Sequence, residues 1–102
     1  VYKRQVHYMT NGSLMSWQQE VLDQCWEGIR GYTYANLLRI QKEPGKSPMF
    51  TSIGEYGWDG WLGTLFTNDP ATRSSLLMML QRNGPWDRLV NLRVGVKKIL
   101  WE

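Results

Sequence analysis

The chain has 102 residues, 42% hydrophobic and 21% charged, with six tryptophans, five tyrosines and two phenylalanines. That allows one domain with a modest core and excludes a disordered polypeptide. No apolar run approaches the roughly 20 residues that span a bilayer, no signal-peptide pattern is present, and the single Cys25 excludes an internal disulfide. The net charge of +3 is no nucleic-acid signature: Lys3 and Arg4 supply two of the three charges, residues 6–102 carry +1, and no basic stripe exists.

Residues 1–5, Val-Tyr-Lys-Arg-Gln, resemble translated adapter sequence and are set aside from the fold. Asn11-Gly12 reads as a turn. Ser16 is placed to cap a helix over 17–25, with Trp17, Val21, Leu22 and Cys25 on one face. Gly28 and Gly31 end it. Residues 32–41 read as one strand with Tyr32, Tyr34, Leu38 and Ile40 on one side, and Pro44-Gly45 marks the following loop.

Residues 52–69 are the most informative stretch. Gly54, Gly57, Gly60 and Gly63 recur every third residue, and each would cost a helix about 1 kcal/mol relative to alanine. The spacing therefore predicts extended backbone that must approach something closely, as strands over 52–60 and 62–68. A fourth strand over 75–81 is apolar without alternation, which predicts that both faces are covered. Asn83-Gly84-Pro85 then opens a C-terminal helix with Trp86, Leu89, Leu92, Val96 and Ile99 on its apolar face, and Lys97-Lys98 complementing the helix dipole. The fold class expected is α+β, an antiparallel sheet followed by a helix packed on it. No later segment can pair with the fourth strand, so one long apolar edge is left without a partner, and a chain with such an edge aggregates.

The order Gly31 to Arg39, then Ser52-Ile53-Gly54-Glu55-Tyr56-Gly57-Trp58-Asp59-Gly60, then Gly63-Thr64, Asp69-Pro70 and Gln81, resembles the C-terminal end of the class C β-lactamase-like serine hydrolases. That family includes β-lactamases, D-alanyl-D-alanine carboxypeptidases and esterases. The resemblance implies the C-terminal part of the β-lactamase/transpeptidase-like fold over residues 6–102, with an N-terminal catalytic part missing. In that fold N-terminal strands pair with the last strand. The implied chemistry is acyl-serine hydrolysis of a small ester or amide, with no cofactor and no metal.

Trp58-Asp59-Gly60 falls at the family's third motif, on a strand bordering the acyl pocket. By position the Trp61 N–H becomes half of the oxyanion hole, a donor worth about 3–4 kcal/mol of barrier. The nucleophile is not here: none of Ser13, Ser16, Ser47, Ser52, Ser74 and Ser75 has lysine three residues later. Tyr34-Ala35-Asn36 spells the second motif but lies too near the third to act as one. Asp59, standing where relatives carry a hydroxyl, would repel a substrate carboxylate by about 1–4 kcal/mol and so favours a neutral ester. Trp61 and Leu62 replace residues that are small in relatives. A degenerate, non-catalytic member or a small aromatic-rich binding module are the competing readings.

Overall fold

In the computed structural model, residues 3–49 and 51–101 are described. Two short helices, α1 (Lys3–Thr10) and α2 (Ser16–Cys25), and a single 3-10 turn (Glu27–Ile29) precede five strands. These are β1 (Tyr32–Ala35), β2 (Leu38–Gln41), β3 (Tyr56–Asp59), β4 (Leu65–Asp69) and β5 (Ser74–Met78), and α3 (Trp86–Trp101) closes the chain. The strands form one antiparallel meander in sequence order. The α+β expectation holds at this level: an antiparallel sheet followed by a C-terminal helix.

Several local expectations change. Residues 3–5 belong to α1, which lies against β2, while Val1 and Tyr2 fall outside the described residues. Ser16 is the first residue of α2 and not its cap. Met15 holds that position with extended backbone, and its N–H donates to Gln18 Oε1 at 3.0 Å. The predicted strand 32–41 is a hairpin, because Asn36 and Leu37 both take positive φ (51° and 67°) and turn the chain in two residues. A two-residue turn of this kind asks for glycine or asparagine at both positions. Asn36 complies, but Leu37 is branched and 78% exposed. Leu37→Gly is therefore expected to stabilise the protein by about 1 kcal/mol, seen as a higher Tm.

Strand β3 is shorter than predicted, 56–59, because Gly54 turns the chain at φ 87°. Strand β4 spans 65–69, since Gly60 and Gly63 close a tight turn between the two. Gly57 explains the glycine spacing best. A side chain there would run into the Phe66 carbonyl oxygen and approach Thr67 Cα to 2.9 Å, so β3 and β4 lie against each other through bare backbone.

The fourth predicted strand, β5, is an edge strand: among the described residues it pairs with β4 alone. The unpaired edge matches expectation, but the prediction that both faces are covered does not. Leu76 and Met78 are half-buried, whereas Leu77 is 67% exposed. Register sets Trp58, Phe66 and Leu77 in one row across β3, β4 and β5, and that row is open.

A small apolar core of Ile29, Tyr32 and Met49 gathers Leu22 and Val94 around it. Helix α3 lies on the sheet in a rotation the periodicity did not predict. Its buried stripe is Leu89, Arg93 and Lys97, four residues apart, while Leu92 is exposed and Ile99 is 82% exposed. The reason is on the sheet beneath it.

Candidate functional site

Alternation along β3 and the residue before it places Glu55, Gly57 and Asp59 on one side, two carboxylates separated by a residue without a side chain. Arg39 stands opposite Gly57 on β2 and reaches both acids. Its Nη1 lies 3.4 Å from Glu55 Oε1 and its Nη2 donates to Asp59 Oδ1 at 3.1 Å. From α3, Lys97 Nζ donates to Glu55 Oε1 at 2.9 Å and Arg93 Nη1 lies 3.3 Å from Asp59 Oδ2. Thr67 Oγ1 on β4 donates to the same Glu55 oxygen. Helix α3 is thus oriented by cations that meet acids, at the expense of burying Leu92.

Burial alone would lower the Arg39 pKa, but Asp59 and Glu55 hold it above its ordinary value. Burial, with the charge of Arg39 added, pushes Lys97 below its ordinary value against the pull of Glu55. Burial raises the Tyr32 phenol, assisted by Glu55. A lowered Lys97 means that the unfolded chain holds its proton more tightly, so this group adds stability as pH rises toward about 10.4. Tyr32 acts oppositely, since the unfolded phenol ionises first above about pH 10. Lys97→Met is therefore expected to remove the rising contribution and leave the alkaline decline alone, which urea midpoints between about pH 8 and 10.5 will show.

The predicted site residues follow one another at the end of β3. Trp58 is half-buried, its ring 5.2 Å from that of Tyr34 at 57°. Tyr34 is therefore an aromatic neighbour of Trp58, set on β1. Gly60 closes the hairpin: its N–H donates to the Thr64 carbonyl at 2.7 Å, and a side chain there would strike Thr64 Oγ1. Trp61 and Leu62 form the turn, with the Trp61 ring exposed and edge-on to Trp86 at 5.4 Å. Among the described residues no acceptor bonds the Trp61 N–H.

Asp59 differs from its predicted role. Its side chain is 25% exposed and both oxygens meet arginines. A carboxylate held between two guanidinium groups does not repel an incoming anion as a free one would. With both oxygens engaged in this way, Asp59 gives no preference for a neutral substrate.

Trp58 is the wall shared by two cavities. One, of about 360 Å³, opens on the exposed row and is bounded by Trp58, Gly60, Phe66, Leu77 and Met79. The other, of about 440 Å³, lies between α2 and the sheet. It exists because the predicted apolar face of α2 is not fully packed: Leu22 joins the core, but Trp17, Val21 and Cys25 remain exposed.

Sequence reading missed Arg39, Arg93 and Lys97 as a group. The period-two placement of Glu55 and Asp59 was the available signal, because two acids on one buried sheet face demand cations. Among the described residues no cluster of three or more His, Cys, Asp or Glu could hold a metal ion, and no helix is long and apolar enough to cross a membrane. No family model matches this chain, and no curated protein matches it either.

Proposed function

We propose that this chain forms the C-terminal wall of a serine acyl-hydrolase of the class C β-lactamase-like type, cleaving a small ester or amide. In this reading Trp58, Asp59 and Gly60 are the third-motif strand. The nucleophile belongs to a preceding part of the same domain, whose strands pair with the outer edge of β5. One observation supports it above the others: β3 ends in Trp58-Asp59 with Gly60 next, the sheet continues through β4 to an edge strand with no second partner among the described residues, and α3 follows.

The role of each residue follows from its surroundings. The Trp61 N–H stabilises the oxyanion of the tetrahedral intermediate, since a donor in a preformed turn needs no reorganisation when charge develops. Gly60 keeps side-chain atoms away from the reacting carbonyl. Trp58 supplies a flat apolar wall for the acyl or alcohol group. Asp59 positions β3 through Arg39 and Arg93 and does not contact substrate, so anionic substrates remain compatible with the site.

The test uses the complete reading frame that contains these residues. A fluorophosphonate probe is expected to label one serine lying in a Ser-x-x-Lys sequence upstream of Trp58. Absence of both the motif and the labelling overturns the reading in favour of a non-catalytic binding protein. In the labelled enzyme, Trp61→Pro removes the N–H at a turn position that accepts proline, and kcat is expected to fall about 10²–10³-fold. Trp61→Ala, which keeps the donor, should fall far less.

A further inference from the structure

The cavity between α2 and the sheet shares Trp58 with the hydrolase reading but needs no nucleophile. Four aromatic residues stand around it, Trp17, Trp26, Tyr34 and Trp58, with Val21 and Cys25 completing the α2 side. At about 440 Å³ it falls in the range that holds a small organic ligand. Among its lining residues, one is charged. Arg39 is 1% exposed, and its Nε meets no acceptor among the described residues.

Three cations, Arg39, Arg93 and Lys97, meet the two carboxylates of this cluster. Arg39 shares Glu55 with Lys97 and Asp59 with Arg93, so neither carboxylate belongs to it alone. A buried guanidinium with an unmet N–H, next to an aromatic-walled space, favours a ligand that brings one oxygen anion on a flat apolar body. We propose that this cavity binds an aromatic monocarboxylate, its rings between Trp17, Trp26 and Trp58 and its carboxylate toward Arg39.

The experiment is calorimetric titration of the protein expressed from the complete reading frame that contains these residues, with naphthalene-2-acetate and, separately, with its uncharged amide. The acetate is expected to bind at least tenfold more tightly. Two variants locate the site without touching the buried charges: Val21→Trp and Cys25→Trp place an indole in the cavity from exposed positions of α2. Each is expected to abolish binding while circular dichroism and the urea midpoint stay as in the parent. Arg39→Lys should erase the preference for acetate over amide if the chain remains folded. Equal affinity for the two probes overturns the carboxylate assignment. No binding of either, or binding unchanged in both filled variants, overturns the site itself. None of these outcomes bears on serine labelling.

Discussion

Glu55→Ala is expected to destabilise the protein by about 3–5 kcal/mol, a large part of the stability a domain of this size has. The glutamate is fully buried and one of its oxygens receives Arg39, Lys97 and Thr67 together. Truncating it withdraws a carboxylate from both Lys97 and Arg39, whose side chains are closed off from water. The net worth of the cluster is a different quantity. Removing both charges of one pair, as in Glu55→Leu with Lys97→Met, substitutes apolar volume for a costly desolvated pair. That double variant is expected to lose less than Glu55→Ala alone. Urea unfolding of the variants checks both statements, and a double variant no more stable than Glu55→Ala contradicts this account of the cluster.

Gly57→Val is the second large effect, with an expected loss of at least about 3 kcal/mol, the upper end of what overpacking costs. The obstruction is the backbone of β4, the Phe66 carbonyl and Thr67 Cα, which cannot turn away as a side chain can. Separating β3 from β4 would also draw Thr67 away from Glu55 and loosen the cluster beneath α3. Gly60→Ala provides the contrast, because there the first obstacle is the Thr64 hydroxyl, the end of a side chain that can rotate. It is expected to cost less than Gly57→Val by 1 kcal/mol or more. Thermal unfolding monitored by near-ultraviolet circular dichroism, where the tryptophans report on packing, distinguishes the two.

Much of the path of the chain was legible from local chemistry. The helix at 16–25 follows from its spacing of apolar residues, and the glycine repeat excluded helix over 54–63. Asp69 and Pro70, a pair with turn chemistry of its own, stand at the turn before the last strand, where Asp69 Oδ1 accepts the Ala71 N–H at 2.9 Å. The Asn36-Leu37 turn was hidden because leucine carries no signal for positive φ. Trp58, Asp59 and Gly60 were legible as neighbours in sequence, since consecutive positions at the end of a strand stay together however the rest folds.

The sequence by itself determined the order of elements from the helix at 16–25 onward, save for the turn that splits 32–41, and with it the close backbone approach in the glycine repeat and the apolar edge at 75–78, because each depends on residues a few positions apart. Only the tertiary structure decided which side of α3 faces the sheet, since Arg93 and Lys97 look like surface cations until Glu55 and Asp59 are brought beneath them. It likewise decided that Asp59 spends its charge on arginines 20 and 34 positions away along the chain. Charge pairing between distant segments carries no local signature; it exists only once folding has removed the water that would otherwise solvate both partners.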